Sequence, residues 1–395
     1  MKLIYIAPFL HMPGGLEHTL AEKANWLVAH GHEVQLLTYT QNGKEMFYAL
    51  DERVLHRDLQ CPLYVIYKKP LYKRPFAYLQ CRRQFRQRFA ETLSEYRPDV
   101  LVITIPNTEE YIHDMLKVAH QQGVMVIVEC HLAADYHLEG KPLFERLLSR
   151  LFPSLKAIQK SDLLITLTDR DAASWRRFVK HVSVLPNPLP LAFSQEPSTI
   201  NKEPFTINKE PSTINKEPST PRIIAVGRLF SQKRFDRLIE AFALIADHYP
   251  QWQLDIYGDG PFCQVMQQQI VQCGMTGRIM LNGTTHDMQA AYKKCQFFVL
   301  SSDYEGFGMV IIEAMACGLP VVATDCPCGP SEIIEDGRTG LLSRLDVQDL
   351  AKKMEWMMSH EAERQKMGQQ ALLASAHYQL EQVMPRWLAA YQSVL

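Results

Sequence analysis

Short apolar strands alternate with amphipathic helical stretches along most of the chain, and this alternation constrains the fold more than any other feature. In the first half the predicted strands are KLIYIAPF, HEVQLLTYT, DVLVIT, VMVIVEC and DLLITLT, and a predicted helix, LEHTLAEKANWLVAHG, joins the first two. Strands separated by helices form parallel sheets that are covered on both faces. The pattern predicts a doubly wound α/β domain.

The same alternation starts again at residue 222. RIIAVG is followed by the helical stretch FDRLIEAFALIADHYP and then by the strands WQLDIYG, RIMLNG, CQFFVLSS and LPVVATD. We therefore predict two Rossmann-like domains, residues 1–190 and 222–375, with a C-terminal helix in 376–395 that packs back on the first domain. Ligands of doubly wound sheets bind at the carboxyl ends of the strands, so the cleft between two such domains is the expected active site.

A repeated heptapeptide lies between the two halves. Residues 196–220 read EPSTINKEPFTINKEPSTINKEPST, with a proline in every unit. Proline at this spacing breaks any helix, and units this short and polar cannot bury a solenoid core. Residues 191–221 are therefore predicted to be a linker that contains a disordered, partly extended spacer. A surface segment between domains lengthens at little cost in loop-closure entropy.

Composition excludes several functional classes. Lys plus Arg (42) nearly balance Asp plus Glu (43), so no global charge indicates a nucleic-acid partner. The cysteines, 9 in number and scattered, are typical of a reducing cytoplasm rather than a disulfide framework. No apolar run approaches the roughly 20 residues needed to span a bilayer. We expect a soluble or peripheral cytoplasmic protein.

The stretch YEGFGMVIIEAMACGLPVVATD carries the main chemical signal. Gly306 and Gly308 open a predicted helix and let a ligand approach the backbone, and the N–H groups of a helix start attract a diphosphate. Glu305 precedes this helix and Glu313 lies within it, so the two carboxylates can hold different hydroxyls of one long ligand. The alternative for Glu305 is that it only caps the helix.

Two cations follow the first strand of the second half. VGRLFSQKRFDRLIEA places Arg228 and Lys233 directly after that strand, where both can meet a diphosphate, although either could be an ordinary surface charge. After the first strand of the chain, HMPGGLEHTL places Gly14 and Gly15, which could also form a simple turn.

Together these motifs resemble the retaining glycosyltransferases of GT-B architecture, and specifically glycosyltransferase family 4, the group 1 glycosyltransferases. The two glutamates eight positions apart match the family's signature, and GLPVVATDCPCGPSEIIEDGRTGLL matches its downstream pattern. The segment LPNPLP at 185–190 matches the family's last segment before the domain crossover. Arg234 stands where the family commonly has glycine, which predicts a stiffer loop.

The resemblance implies a role for each matching residue. Glu305 would contact the donor sugar, Glu313 the nucleotide ribose, and the amides of Gly308 and Met309 the sugar and phosphate. His131 matches a family histidine that reaches the donor sugar near the reacting carbon, although it could be a satisfied histidine at a strand end. The implied catalytic residues are Glu305, Arg228, Lys233 and His131, and the implied donor-binding residues are Gly15, Gly227, Gly306, Phe307, Gly308, Met309, Val310 and Glu313.

The family also implies a reaction type. The configuration of the anomeric carbon is retained, because the acceptor attacks the face from which the diphosphate leaves, and the leaving phosphate takes the acceptor's proton. Fixed cations and the helix start stabilise the departing charge, so we expect no metal and no cofactor. DRD at 169–171 resembles the Asp-x-Asp of metal-dependent transferases, but it follows a strand and is predicted to begin a helix.

A basic and aromatic segment is the candidate acceptor region. YKKPLYKRPFAYLQCRRQFRQRFAE, from residue 67, holds eight cations and its only acid is the last residue. It suits an anionic membrane surface, at residues 67–89, or a lipid-linked acceptor better than nucleic acid, and it could also be a merely solvated basic face.

The resemblance favours transfer of a hexose or N-acetylhexosamine from a UDP-sugar to a glycan or lipid-linked acceptor in bacterial surface polysaccharide assembly. The protein would then work in the cytoplasm or on the cytoplasmic face of the inner membrane. Two alternatives stay open, a GT-B nucleotide-sugar epimerase and a non-catalytic nucleotide-sugar-binding protein.

Overall fold

The computed structural model describes residues 1–63, 66, 70–105, 111–131, 157–193, 220–285 and 287–395. The chain divides into two compact units, Met1–Pro188 with Val383–Leu395 and Leu189–Gln382. This division lies next to the predicted end of the first domain at residue 190. The heptapeptide repeat lies outside the described residues, except for Thr220.

The first unit is built on a parallel sheet of 7 strands in the order β3-β2-β1-β4-β5-β6-β7. Its strands are β1 Lys2–Ala7, β2 Glu33–Thr38, β3 Leu55–Asp58, β4 Val100–Ile105, β5 Met125–Cys130, β6 Leu163–Thr166 and β7 Val182–Val184. The helices between them are α1 Gly15–Ala29, α2 Arg74–Tyr96, α3 Ile112–Gln121 and α4 Asp169–Trp175. The five strands predicted for this half are confirmed. The short strands β3 and β7 lack fully buried residues and gave no apolar signal in the sequence.

Alternate residues of the central strands face two different sets of helices. Ile4, Ile6, Val126 and Val128 pack in a core cluster with residues of α2 and α3. Successive side chains of a strand point to opposite faces, so Tyr5 and the other intervening residues lie on the other face of the sheet. Burying each large apolar side chain stabilises the unit by about 1.5–3 kcal/mol.

The second unit repeats the architecture with a parallel sheet of 6 strands in the order β10-β9-β8-β11-β12-β13. Its strands are β8 Arg222–Val226, β9 Gln253–Tyr257, β10 Ile279–Gly283, β11 Phe297–Leu300, β12 Val321–Thr324 and β13 Gly340–Ser343. Its helices are α5 Phe235–Ile245, α6 Cys263–Gln272, α7 Met288–Lys293, α8 Met309–Ala316, α9 Pro330–Ile333, α10 Val347–Ser359 and α11 Glu361–Ser375. The predicted doubly wound α/β class is confirmed for both units.

The last helix, α12 Leu380–Gln392, begins in the second unit and ends in the first. Trp387 and Tyr391 on this helix are completely buried, and the Trp387 indole N–H donates to the Pro186 carbonyl at 2.8 Å. The C-terminal residues Val383–Leu395 are thus part of the first unit, where they add aromatic side chains to its core. Among the described residues, no helix has both the length and the apolar character needed to cross a membrane.

Candidate active site

The second unit reverses its strand order between β8 and β11, which pair directly with each other. Ligands of open α/β sheets bind at the carboxyl ends of the strands at such a reversal. The loop after β8 carries Gly227, Arg228 and Lys233, and the loop after β11 leads through Glu305 to α8. The sheet topology therefore places the predicted cations and the glutamate–glycine loop on neighbouring strands.

Lys233 and Glu305 form a short ion pair in this region. The Lys233 Nζ lies 2.6 Å from Glu305 Oε1, and the Ser302 hydroxyl donates to the same oxygen at 2.6 Å. The two charged side chains are 16% and 7% exposed, so the pair is shielded but still reached by solvent. Because α8 is capped by Gly308 without a side-chain hydrogen bond, the interpretation of Glu305 as a helix cap is wrong.

Three hydrogen bonds tie the loop of Lys233 to the loop of Glu305. The Gln232 side-chain amide donates to the Tyr304 carbonyl at 2.8 Å, and the Ser301 hydroxyl donates to the Lys233 carbonyl at 2.8 Å. The Asp303 N–H donates to the Gln232 carbonyl at 2.9 Å. The backbone at Lys233 is therefore held beside the loop that carries Glu305.

The aliphatic stem of Lys233 packs against Gly227. A Cβ at residue 227 would lie 3.2 Å from Lys233 Cε, so the stem of the lysine runs directly over this glycine. Gly258 approaches from the other side with φ +142°, and a Cβ there would lie 1.9 Å from the Gly227 carbonyl oxygen. A side chain at residue 258 would therefore displace the backbone at Gly227, whereas one at residue 227 would shift only the stem of Lys233.

Arg228 is the most accessible cation of the predicted set. Its side chain is exposed, with the guanidinium carbon 5.5 Å from the centre of the Phe230 ring. In the described part of the chain it forms no ion pair with an acid. Its charge is therefore available to an anionic ligand.

Arg234 explains how the loop tolerates the loss of the family's glycine. Its backbone is left-handed, with φ +47° and ψ +43°, which glycine adopts without strain and other residues adopt at a cost. The guanidinium contacts Asp236 at 2.9 Å and Asp303 at 3.1 Å, and Arg237 contacts Asp303 at 2.6 Å. The hydrogen bond to Asp236 raises the pKa of Arg234, and the hydrogen bond to Asp303 raises it further by a smaller amount. The predicted stiffness of this loop thus has a physical basis in paired charges.

The glycine loop is supported from below by the CPCG segment. Gly308 has φ +97° and ends the loop at the start of α8, whose first residues are Met309 and Val310. Phe307 is 5% exposed, and a Cβ at Gly329 would lie 2.1 Å from the Phe307 carbonyl oxygen. Close backbone packing therefore holds Gly306 to Gly308 in place, which is the support a phosphate-binding helix start needs.

Glu313 lies inside α8, as predicted, and has a partner that the sequence did not suggest. The Tyr292 hydroxyl lies 3.3 Å from Glu313 Oε2. Burial and the nearby Glu313 charge raise the pKa of Tyr292 well above its usual value, so the hydroxyl stays protonated and donates. Glu313 is half-buried and thus positioned by a neighbouring helix.

The remaining predicted residues lie in the first unit. Gly15 is the first residue of α1, and the preceding Gly14 has extended backbone that any residue could adopt. His131 directly follows β5, with its side chain 6% exposed and its Nε2 3.1 Å from Glu129 Oε2. Burial lowers the pKa of His131, against the opposing effect of Glu129, so the imidazole is neutral near pH 7.

Asp169 and Asp171 belong to the first turn of α4, which confirms that DRD begins a helix. The Thr168 hydroxyl caps this helix by accepting the Asp171 N–H at 3.2 Å. Within the described residues, no group of three acidic, histidine or cysteine side chains is arranged to hold a metal ion.

Sequence reasoning missed the hydrogen-bond partners of three predicted side chains. They are Ser302 on Glu305, Tyr292 on Glu313 and Glu129 on His131. Ser302 follows a strand end in the apolar-to-polar transition FFVLSS, which could have indicated it. Tyr292 and Glu129 gave no local signal.

Two family models match the chain. The model described as Glycosyltransferase Family 4 matches residues 13–193, and the model described as Glycosyl transferases group 1 matches residues 206–373. The second match includes the Lys233 loop, the glutamate–glycine loop and α8.

Individual relatives extend over the whole chain at low identity. The chain is 24% identical to an uncharacterized glycosyltransferase of Haemophilus influenzae, with 95% of each chain covered. It is 25% identical to the Campylobacter jejuni GalNAc-alpha-(1->4)-GalNAc-alpha-(1->3)-diNAcBac-PP-undecaprenol alpha-1,4-N-acetyl-D-galactosaminyltransferase, over 98% of this chain and 97% of that one. Other relatives are much longer: the chain spans 40% of the length of one from Streptomyces coelicolor. The crystal structure of Anabaena HepE in complex with UDP and glucose matches with a TM-score of 0.73 at 19% identity, over the whole of both chains.

Proposed function

Since the chain belongs to the group 1 glycosyltransferases and has the GT-B fold, we propose that it transfers a hexose or N-acetylhexosamine from a UDP-sugar to a glycan or lipid-linked glycan. The observation that carries this proposal is the pairing of Lys233 with Glu305 beside a glycine-capped helix start. A nucleotide sugar presents a diphosphate and sugar hydroxyls next to each other, and this pair offers a cation for the first and an acceptor for the second.

Exchange of partners in this pair gives a binding mechanism. In the structure Glu305 accepts from both Lys233 and Ser302. A diphosphate competes with the carboxylate for the lysine, because phosphate oxygens accept strong charge-assisted hydrogen bonds. A carboxylate can only accept, so a sugar hydroxyl then donates to the position that Lys233 vacates.

The same groups act in the chemical step. When the anomeric C–O bond breaks, negative charge grows on the departing diphosphate. Lys233, Arg228 and the N–H groups at the start of α8 would stabilise that charge, and removal of one donor of this kind costs about 2.7–4 kcal/mol of transition-state stabilisation. These positive groups would allow the reaction to proceed without a metal ion.

We propose retention of configuration on the same basis. The leaving phosphate stays bound beside the sugar, so its oxygen can take the proton of an acceptor hydroxyl that attacks the same face. The electron pair of the broken C–O bond remains on the diphosphate, and the acceptor oxygen forms the new bond to the anomeric carbon. No side chain is assigned as a nucleophile.

Two of the similar proteins support this choice of sugar and nucleotide. The Campylobacter jejuni relative is named as a transferase of N-acetylgalactosamine to a lipid-linked glycan, and HepE was crystallised with UDP and glucose.

Exposed apolar side chains at the start of α2 and in the turn before it support an acceptor at a membrane surface. Tyr72, Phe76 and Leu79 are 78%, 74% and 65% exposed, and Arg83 continues the same exposed face one turn later. Exposed aromatic and cationic side chains together suit the interface of an anionic membrane. We therefore propose that the protein works in the cytoplasm, at the inner face of the membrane.

The cations of this segment are only partly available. Arg82 and Arg86 lie 2.7 Å and 3.8 Å from the buried carboxylate of Asp114, and Arg88 donates to the Leu59 carbonyl at 2.7 Å. These three arginines are therefore not all available to an anionic membrane. Tyr67 and the two lysines after it lie outside the described residues. The exposed aromatics carry more of this argument than the count of cations suggests.

Transfer of radiolabelled sugar is the direct test. Purified protein is incubated with a panel of labelled UDP-sugars, with and without a lipid extract from a polysaccharide-producing bacterium, and label is followed into the lipid fraction. We expect transfer, and a fall of about 100–1,000-fold in kcat for Lys233→Ala and for Arg228→Ala. Arg338→Ala is the matched control, because Arg338 is exposed and pairs with Glu335 outside this site.

Other outcomes identify other functions. Isomerised UDP-sugar without transfer would indicate an epimerase, and tight binding without turnover would indicate a binding protein. Transfer should persist in EDTA. Loss of activity in EDTA that Mn²⁺ restores would point instead to Asp169 and Asp171.

A further inference from the structure

A buried charge cluster lies beneath His131, and the proposed mechanism does not use it. Glu129 on β5 is completely buried, and its Oε2 accepts from Lys23 Nζ at 3.1 Å. Its Oε1 accepts from the Tyr391 hydroxyl at 2.8 Å, and Tyr391 in turn accepts from the Tyr5 hydroxyl at 2.8 Å. The carboxylate thus has two donors besides His131, one from α1 and one from α12.

The cluster fixes which nitrogen of His131 carries the proton. The Nε2 atom lies 3.1 Å from a carboxylate oxygen, and a carboxylate has no proton to donate. The neutral imidazole must therefore donate from Nε2, which leaves Nδ1 as an acceptor. Among the described residues, no group hydrogen-bonds to Nδ1.

The charges inside the cluster favour this arrangement. Burial would raise the pKa of Glu129, but Lys23, His131 and Tyr391 together lower it to about 2, so the group stays a carboxylate. Burial lowers the pKa of Lys23 to about 8 against the opposing pull of Glu129, and the amine still carries its proton near pH 7. One positive and one negative charge balance, and the histidine is left neutral.

The C-terminal helix completes the cluster. The Lys23 Nζ lies 3.0 Å from the centre of the Trp387 ring, and Trp387 is held by its bond to the Pro186 carbonyl. The lysine thus has a carboxylate and an aromatic face as partners. Both Trp387 and Tyr391 come from α12, so residues at the far end of the chain determine where Glu129 points.

We propose that Glu129, held by Lys23 and Tyr391, is a positioning residue that fixes His131 as the Nε2–H tautomer with Nδ1 as acceptor, and that sugar transfer depends on this tautomer. The inference rests on the proposed function, to which it adds a contact between His131 and the donor sugar. A sugar hydroxyl can donate to Nδ1 in this state and could not if Nδ1 carried the proton.

The cluster also has a simpler explanation, which the test must separate from ours. A buried ion pair often contributes little to stability and can be replaced by apolar residues of similar size. If the cluster only joins three elements, then any well-packed replacement will serve. If it sets the tautomer, then a replacement must still accept from His131 Nε2.

Two double variants make that distinction. Lys23→Met/Glu129→Leu removes both charges together with the acceptor. Lys23→Met/Glu129→Gln removes the same charges and keeps a carbonyl oxygen at the position of the carboxylate. Neither leaves an uncompensated buried charge, so the two differ mainly in the acceptor offered to His131.

The first measurement is the tautomer itself. Long-range ¹H–¹⁵N correlation spectra of protein labelled at histidine distinguish Nε2–H from Nδ1–H rings, and the His131→Gln spectrum identifies the His131 signal by its loss. We expect Nε2–H in the wild type and in the glutamine double variant, and a changed or mixed tautomer in the leucine double variant.

The second measurement is turnover with the UDP-sugar and acceptor found active above. We expect kcat to fall by about 10–100-fold in the leucine double variant, a loss typical of removing a partner that orients a functional histidine. The glutamine double variant should keep most of the wild-type kcat. Melting temperatures of both, and of Asp114→Asn as a buried carboxylate on the opposite face of the sheet, show how much loss comes from stability alone.

Each contrary result overturns the inference. An Nδ1–H or charged His131 in the wild type, an unchanged tautomer in the leucine variant, or equal kcat in the two double variants would each exclude a positioning role. If no UDP-sugar is transferred at all, the proposed function fails, and the spectra still decide whether Glu129 sets the tautomer.

Discussion

Each unit of this protein contains a lysine–glutamate pair that also binds a hydroxyl, and the two pairs differ in their access to water. In the first unit Lys23 and Glu129 lie 3.1 Å apart, with both side chains completely buried. In the second, Lys233 and Glu305 lie 2.6 Å apart and keep 16% and 7% of their surface exposed. The hydroxyls come from Tyr391 and Ser302.

This difference separates two uses of the same chemical groups. A sealed pair cannot exchange its partners, because each charge would be left in a medium of low dielectric constant. A pair in loops at the carboxyl ends of the strands can exchange its partners, because water and an anionic ligand reach both groups. The first pair is therefore suited to fix a neighbour, and the second is suited to bind a substrate.

Removal of the lysine should have the largest effect in the sealed pair. Lys23→Met leaves the Glu129 carboxylate buried with a lost counter-charge, and breaking such a pair typically costs about 3–5 kcal/mol of unfolding free energy. Lys233→Met should cost less than this, since Glu305 keeps the hydrogen bond from Ser302 and water still reaches the pair. Chemical denaturation of both variants measures the difference. Equal losses would mean that exposure does not distinguish the two pairs.

Nucleotide binding should reverse that ranking. Wild-type protein should gain about 2.7 kcal/mol of stability at a UDP concentration 100 times the Kd. Lys23→Met should keep this gain, because UDP lacks the sugar that His131 would contact. Lys233→Met should lose most of it, and thermal melting with and without UDP is the measurement. If Lys23→Met loses the gain while Lys233→Met keeps it, the diphosphate has been assigned to the wrong unit.

The contrast between the pairs also marks the limit of what the sequence could predict. Strands such as KLIYIAPF and the helix after GFG were predictable because apolar periodicity and glycine act over a few neighbouring residues. Glu305 and Glu313 were found by their fixed spacing. The pairings were not predicted: Lys233 lies 72 residues from Glu305, Lys23 lies 106 from Glu129, and Tyr391 lies 262 from Glu129. Only the order of strands in each sheet brings such residues together.

A smaller effect concerns acid sensitivity of the first unit. The pKa of His131 is lowered by burial, so on acidification the unfolded chain binds a proton before the folded one does. The contribution of neutral His131 to the free energy of unfolding is thus complete above about pH 6.5, the pKa in the unfolded chain. It is lost as the pH falls through the lower pKa of His131 in the folded state. The pKa of Glu129, lowered to about 2, acts in the same direction below about pH 4.5.

The His131→Gln variant tests this assignment, because glutamine can still donate to Glu129 and does not titrate. Its stability should vary less between pH 6.5 and 5 than that of the wild type, by up to about 1.4 kcal/mol per pH unit. Unfolding free energies across this range are the measurement. Parallel pH profiles for the two proteins would show that His131 is charged in the fold or is not buried.

The smallest effect concerns Arg234 beside the accessible pair. Its left-handed backbone, φ +47°, costs a residue other than glycine about 1–2 kcal/mol. Its partly exposed contacts with Asp236 and Asp303 return about 0–1 kcal/mol each. Arg234→Gly relieves the backbone and loses the contacts, so the unfolding free energy should change by less than about 1 kcal/mol. Arg234→Ala loses the contacts and keeps the strained backbone, and should therefore be the less stable of the two. If Arg234→Ala proves as stable as Arg234→Gly, the backbone at residue 234 is not strained. The ion pairs of Arg234 would then not be compensating for strain.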